Sequence, residues 1–310
     1  MGLQFSERQD FSMRFSIIVV CLNPGEKLKS TMDSILGQTC RDFEVILKDG
    51  GSTDGSVEPW KRGAETDSSG EPWKRGVEAD GSGERAGRSQ ELNGAKVRFF
   101  QEKDKGIYDA MNRAVSHAAG DFVIFMNCGD RFADERVLER TAERIAGKAS
   151  DADMDRLVFY GDTLSEKNGV TIASASKITG FTCYRNIPCH QSCFYSTALC
   201  REKPYDLQYR IRADYDHFLW CFYRAGAQFM YMGFPVASYE GGGYSESREN
   251  RSRDKQEHRQ ITGTYMGKGE LLRYRAVMLC TLAPLRRAMA ESRGFSGVYH
   301  WVKSKAYRKK

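Results

Sequence analysis

No apolar run in this 310-residue chain approaches the roughly 18 residues that a membrane-crossing helix needs. The longest clean runs are Phe15–Leu22 and Ala276–Leu285, so no integral anchor is expected. The first run is too short for a secretory signal, and its leader is of mixed charge. Paired C-x-x-C knuckles are missing too. Nine cysteines, an odd number, are scattered from Cys21 to Cys280. They read as reduced, buried thiols of a cytoplasmic protein and not as a disulfide framework. Cys189, His190 and Cys193 by themselves do not make a zinc site. No G-x-G-x-x-G turn follows the first apolar run, which leaves a dinucleotide fold unsupported, and no Walker A loop speaks for an NTPase. No serine or Cys/His hydrolase pattern can be assembled. No helix-turn-helix, zinc finger or aromatic RNA platform is recognisable, so no nucleic-acid partner is expected.

What is present is enough for a core: 40% hydrophobic and 12% aromatic residues, well above the level of a disordered chain. Length alone allows one large α/β domain or two smaller ones. The net charge of +6 is uneven. Residues 250–310 hold 15 Lys and Arg against 4 Asp and Glu, a net +11 on a body of net −5. A basic segment on a mildly acidic body suits an anionic membrane surface; a solvated helix with snorkelling basic residues is the alternative.

Hydrophobic periodicity gives a series of elements. Phe15–Cys21 is a continuous β-branched run, as expected of a strand buried on both faces of a parallel sheet. Residues 26–36 have helical spacing, with Leu28, Met32, Ile35 and Leu36 on one side. Strands follow at 43–47, 97–100 and 122–126, and helices at 107–118 and 135–146. Strands alternating with helices from Phe15 to Ala146 predict a doubly wound α/β layer. Beyond residue 150 the pattern loosens. Strands are expected at 157–160, 170–173, 228–232 and 236–239, a helix at 213–224, and helices from Asp254 on, with a break at Pro284.

One stretch breaks the alternation. Residues 58–70 read EPWKRGAETDSSG and residues 71–83 read EPWKRGVEADGSG, identical at ten of thirteen positions. This tandem duplication, within 58–90, is expected to be a mobile surface insertion. Trp60 and Trp73 would anchor a linear binding motif if it has a role.

In an open parallel sheet, ligands bind beyond the carboxyl ends of the strands. Polar and acidic residues cluster there: Asn23 after the first strand, Asp49 to Asp54 after the second, Glu102 and Asp104 after the third, Asn127 and Asp130 after the fourth. Such acids suit a metal that bridges a diphosphate.

These segments also carry a resemblance. Phe15–Asn23, Gln38-Thr39, Phe43–Ile46, Asp49-Gly50-Gly51-Ser52-Thr53-Asp54-Gly55, Glu102–Asn112, Gly120-Asp121 and Asn127-Cys128-Gly129-Asp130 resemble family 2 glycosyltransferases of GT-A fold. Within that family the similarity is to enzymes of bacterial surface-polysaccharide synthesis, including the colanic-acid type. It continues through Cys189-His190-Gln191, Ala213-Asp214-Tyr215-Asp216 and Gly241-Gly242-Gly243-Tyr244-Ser245. It covers and implies a GT-A domain over 15–246 with a mostly parallel sheet; the residues outside it read from their composition as a leader at 1–14 and a basic helical extension over 247–310.

The resemblance also implies roles. Asn23, Asp49, Gly51, Ser52, Asp104, Asn112 and Asn127 would bind the nucleotide-sugar, and Asp130 would hold a divalent metal, Mg²⁺ or Mn²⁺. Asp214 would be the general base, with Asp216 as the alternative. His190, Gln191, Gly242 and Gly243 would face the sugar or the acceptor. The chain departs from the family pattern at Gly50 and Ala213, where acids are usual, at Met111, where arginine is common, and at Asn127 and Gly129 within the metal motif. The implied activity is inverting transfer of a hexose from a nucleotide-diphospho-sugar to a glycan or polyprenyl-linked glycan. The enzyme would be cytoplasmic and peripheral on the inner membrane face. The rival is a non-catalytic carbohydrate-binding protein on a decayed GT-A scaffold.

Overall fold

Phe15–Cys21 forms the central strand β1, and all seven of its residues are buried. A computed structural model describes residues 15–61, 88–148, 153–166, 169–239 and 250–280. The leader, most of the duplicated stretch, Gly242, Gly243 and Pro284 lie outside the described residues. In chain order the elements are β1, α1 (Glu26–Leu36), β2 (Phe43–Asp49), α2 (Glu58–Lys61), β3 (Arg88–Leu92), β4 (Ala95–Gln101), α3 (Ile107–Ser116), β5 (Phe122–Phe125), β6 (Arg131–Phe132) and α4 (Val137–Ala146). The second half contains β7 (Leu157–Ser165), β8 (Val170–Ile172), α5 (Gly180–Arg185), β9 (Cys193–Ser196), α6 (Thr197–Glu202), α7 (Ala213–Tyr223), β10 (Gln228–Tyr239), α8 (Arg251–Tyr265) and α9 (Lys268–Cys280).

The strands join in one sheet of order β3-β4-β2-β1-β5-β9-β7-β10-β6, with β8 paired to β7. β1 pairs parallel with β2 and β5, and β2 pairs parallel with β4. β9 is antiparallel to both β5 and β7, and β10 is parallel to β7. It follows that β1, β2, β4, β5, β7 and β10 all point their carboxyl ends to one edge. The sheet is mostly parallel with helices interleaved, the arrangement expected from continuous apolar strand runs. In α1, Leu28, Met32, Ile35 and Leu36 are buried, so the stripe read from spacing is the packed face.

Three strands carry no alternating signal. β3 is the polar run Arg-Ser-Gln-Glu-Leu, held antiparallel on β4. β6 has two residues and β9 four. Glu58–Lys61 and Arg88–Leu92, the two ends of the expected insertion, are thus ordered elements, a correction to the reading of 58–90 as one mobile loop. The two strands expected at 228–232 and 236–239 are a single strand, β10, with register shifts against β7 around Pro235. Close approach there requires glycine in β7: a Cβ on Gly161 would collide with the Phe234 carbonyl and lie 2.6 Å from Val236 Cγ2.

Two compact units are present, Met1–Glu257 and His258–Lys310. The sequence pattern places the boundary after residue 246. The first turns of α8 belong to the larger unit because Asp254 and Glu257 bond to the segment before α7. Among the described residues, no helix is long and apolar enough to cross a membrane.

Candidate active site

Loops at the carboxyl ends of β1, β2, β4 and β5, together with the starts of α3 and α7, converge on one edge of the sheet. The β1 and β2 loops are tied to each other. The Asn23 amide donates to Ser52 Oγ at 2.7 Å, and Asn23 Oδ1 accepts from the Thr53 amide at 2.8 Å. Gly51 has φ of 104°, in the left-handed region that favours glycine, so the turn after β2 depends on it. Asp49 is fully buried. Its carboxylate accepts from the Ser52 hydroxyl at 2.5 Å, the Ser52 amide at 3.0 Å and Gln101 Nε2 at 2.6 Å, with Cys21 Sγ at 3.7 Å. These contacts join the loop to β4 and β1, so Asp49 organises the loop that Asn23 and Thr53 expose.

Lys48 is the unexpected charge in this edge. Its side chain is wholly buried at the end of β2. Its ammonium donates to Glu102 O at 2.6 Å and Asp49 O at 3.2 Å, and lies 3.5 Å from Asp104 Oδ2. A buried ammonium is tolerated only when paired and hydrogen-bonded, and here it is both. A Cβ on Gly50 would lie 2.8 Å from the same Asp104 oxygen. The Asp104 carboxylate thus packs where a larger residue 50 would begin.

The Asn127–Asp130 turn follows β5. Thr31 of α1 holds it: Thr31 Oγ1 donates to Asp130 O at 2.8 Å and accepts from the Gly129 amide at 2.9 Å. Asp130 Oδ2 accepts from Gln191 Nε2 at 2.7 Å. Burial raises the Asp130 carboxyl above its ordinary value, despite the opposing Gln191 bond and the nearby His190. Asn127 Nδ2 lies 3.1 Å from His190 Nε2, while Asn127 Oδ1 is buried with no hydrogen-bond partner.

Asp214 lies in the first turn of α7. Its Oδ1 is 2.9 Å from the Tyr108 hydroxyl, which is also 2.7 Å from Ile211 O, and its Oδ2 is 3.4 Å from His190 Nδ1. The His190 ring faces Asp214 with Nδ1 and Asn127 with Nε2, so it links the Asp130 turn to α7. Burial alone raises the Asp214 carboxyl, but the His190 bond and charge and the Tyr108 bond outweigh it, leaving the group below its ordinary value. Its side chain keeps 21% exposure, so a substrate can reach it. Asp216, two residues further on, is buried and ion-paired with Lys203 at 2.7 Å. Of the two acids, Asp214 faces the cluster.

The structure brings Asn127, Asp130, His190, Gln191 and Asp214 together, with Asn23, Asp49, Gly51, Ser52 and Asp104 in the adjoining loops. Asn112 plays a different part. Its amide bonds both the N–H and the C=O of Tyr205, each at 2.8 Å. That clamps α3 to the segment before α7. Sequence reasoning missed Thr31, Lys48, Gln101 and Tyr108 as site residues. Lys48 carried a signal, a charge closing an otherwise apolar strand run; the others did not.

A divalent cation fits the Asp130 turn only as a shared site. Among the described residues there is no group of three or more His, Cys, Asp or Glu able to hold a metal. The Asp130 carboxylate and the unpartnered Asn127 carbonyl oxygen are hard oxygen donors. One or two such ligands, completed by substrate phosphate and water, suit Mg²⁺ or Mn²⁺.

Residues 16–74 and 78–206 match the sequence profile of Glycosyl transferase family 2. The chain belongs to this family. Among its relatives is the PGL/p-HBAD biosynthesis glycosyltransferase of Mycobacterium bovis, 34% identical over 235 residues, 75% of this chain and 79% of that one. The cholesterol galactosyltransferase of Borreliella burgdorferi is 24% identical over 147 residues, 47% of this chain and 33% of that one. The solved structure of S. aureus TarS 1-349 in complex with UDP superposes with a TM-score of 0.57 at 16% identity. It covers 82% of this chain, while the chain spans only 65% of TarS 1-349, slightly under two thirds. The mannosyltransferase PcManGT from Pyrobaculum calidifontis, in complex with GDP-Man and Mn²⁺, gives a TM-score of 0.56 at 16% identity, over 95% of this chain and 84% of that one. The fold is GT-A, and this family 2 member is a glycosyltransferase.

Proposed function

We propose that the chain is an inverting hexosyltransferase with Asp214 as general base, acting on a glycan or lipid-linked glycan acceptor. The observation that carries this reading is Asp214 itself: a reachable carboxylate, held ionised by His190 and Tyr108, beside the Asp130 turn. An acceptor hydroxyl is a poor nucleophile at neutral pH. As its oxygen bonds to the anomeric carbon, its proton passes to Asp214 and the nucleoside diphosphate leaves from the opposite face. A single displacement inverts the anomeric centre. The sugar is oxocarbenium-like at the crossing point, as in glycoside hydrolysis. A divalent cation bound by Asp130 and Asn127 Oδ1 would neutralise charge developing on the departing diphosphate. Asn23, Gly51, Ser52 and Asp104 would line the nucleotide side, with Asp49 and Lys48 fixing their loops. His190 and Gln191 would orient the sugar side.

The acceptor reading is supported by chemistry on the relatives' side: one of them is named for transfer to cholesterol, a lipid alcohol. The basic segment 250–310 would hold a cytoplasmic enzyme on the anionic inner face of the membrane, next to a polyprenyl-linked acceptor.

The test is calorimetric titration with UDP, GDP and their hexose conjugates, each with and without Mn²⁺, followed by turnover of the conjugate that binds. Metal-enhanced binding of one nucleotide is expected, and Asp214→Asn should lower turnover by about 10²- to 10⁴-fold while leaving that binding intact. Wild-type turnover in Asp214→Asn would remove the base assignment. Equal binding with and without Mn²⁺ would remove the metal.

A further inference from the structure

Resting on the reading of Asp214 as base, we infer that Glu257 of α8 is a positioning residue for the catalytic helix. Glu257 is buried, 6% exposed, in a region where the sequence shows only a basic, charged helix. Its Oε1 accepts from the Arg210 amide, and its Oε2 accepts from the amides of Ile211 and Arg212, all three at 3.0 Å. These are the last three residues before α7. Arg212 is the N-cap of that helix, and no side chain caps it in the usual way. A carboxylate gathering three consecutive N–H groups serves as an external cap, and its charge favours a helix start.

The same short segment is held from every side. The Ile211 carbonyl is 2.7 Å from the Tyr108 hydroxyl, so the peptide groups of Ile211 are fixed at N–H by α8 and at C=O by α3. The Arg212 guanidinium makes two bonds to Asp254 of α8, at 2.7 and 3.0 Å, and lies over the Tyr215 ring. Asp214 is the second residue of α7, two positions beyond Arg212. The single hydroxyl proton of Tyr108 is shared between Ile211 O and Asp214 Oδ1, so a shift of the 210–212 segment changes the contact between Asp214 and its own partner. Glu257 therefore acts through backbone placement and touches neither donor nor acceptor. Sub-ångström misplacement of a base lowers the rate of the chemical step without weakening ground-state binding.

A double-mutant cycle tests this with Glu257→Gln, Asp214→Asn and the pair. Turnover is read as nucleoside diphosphate released from UDP-glucose, UDP-galactose, UDP-N-acetylglucosamine or GDP-mannose, whichever the wild type consumes, and donor affinity is read by calorimetry. Glu257→Gln should lower kcat by about 10- to 100-fold with donor affinity within about twofold of wild type. On the Asp214→Asn background it should lower residual turnover by less than about twofold, because the group it places is already gone. Glu257→Asp, which keeps the charge, should recover part of the loss and serves for the same cycle if Glu257→Gln does not fold. An unchanged kcat, an equal loss on both backgrounds, or a parallel loss of donor affinity would overturn the inference. Wild-type turnover in Asp214→Asn alone would overturn the base reading instead, so the two failures are separable.

Discussion

Asp49 and Asp214 are both acids at the sheet edge, yet their surroundings give them different roles. Asp49 is sealed and bonded to Ser52 and Gln101, whereas Asp214 keeps access to solvent. His217, on the same helix as Asp214, shows burial acting on a base. It is buried, its Nδ1 lies 2.8 Å from the Lys203 carbonyl, and its Nε2 lies 3.5 Å from Cys221 Sγ. A carbonyl only accepts, so Nδ1 donates. Burial pushes its pKa down to about 4, partly opposed by the Lys203 carbonyl. An unfolded histidine takes up its proton near pH 6.5. Between these values the unfolded chain binds a proton that the folded chain does not, so stability must fall as pH falls from about 6.5 to 4. The loss is on the order of 3 kcal/mol. Asp130, raised above its ordinary value, works with the opposite sign at the acidic end of the window. Denaturant titrations of wild type and His217→Gln at pH 4.5 and 7 separate the two, because only the wild type should carry the histidine slope. Identical pH dependence in both proteins would exclude His217 as its source. At this scale the sequence showed which acids stand at strand ends. It did not show that Asp49 faces inward or that Asn112 clamps Tyr205, because both depend on contacts between segments far apart in the chain.

Secondary-structure elements were legible in proportion to how many of their residues face the core. β1 and α1 were readable to the residue, since one is buried throughout and the other has a clean apolar stripe. β3, β6 and β9 were not, because an edge strand of polar residues and strands of two and four residues owe their existence to their neighbours. The same tertiary dependence governs the join of β7 and β10. The sequence shows two short strands around Gly233 and Pro235, while the fold runs them as one strand against Gly161. Gly161→Ala should therefore destabilise the protein by about 1–3 kcal/mol, since the new methyl meets a backbone carbonyl and a valine that cannot both yield. Gly147→Ala at the end of α4 is the control. Its Cβ would find its nearest neighbours at 3.6 and 3.7 Å, ordinary contact distances, and φ there is −68°. That substitution should be neutral or slightly stabilising. Urea midpoints of the two variants decide it; equal midpoints would mean that β10 moves aside without penalty.

At the scale of the whole molecule the charge asymmetry was legible from the start, and its boundary was not. Composition changes near residue 250, but the larger compact unit extends to Glu257, and acids of a basic helix bond back to the segment before α7. Within the second unit, α9 exposes Leu272 and Leu279 at 69% and 67%, with Arg273 and Arg275 also exposed. Apolar and cationic side chains on one short helix suit the headgroup region of an anionic bilayer, where each nearby Lys or Arg contributes about 1 kcal/mol. Electrostatic attraction of this kind weakens with salt, because the Debye length drops from about 10 Å at 0.1 M to about 3 Å at 1 M. The full chain should float with phosphatidylcholine vesicles containing phosphatidylglycerol at 50 mM NaCl and be released at 1 M. Pure phosphatidylcholine should retain little of it at either salt concentration. Binding that survives 1 M NaCl would assign attachment to apolar insertion instead of charge. Complete recovery in the soluble fraction at low salt, with anionic vesicles present, would take the membrane surface away from residues 250–310 and leave their net charge of +11 to be explained by an anionic acceptor.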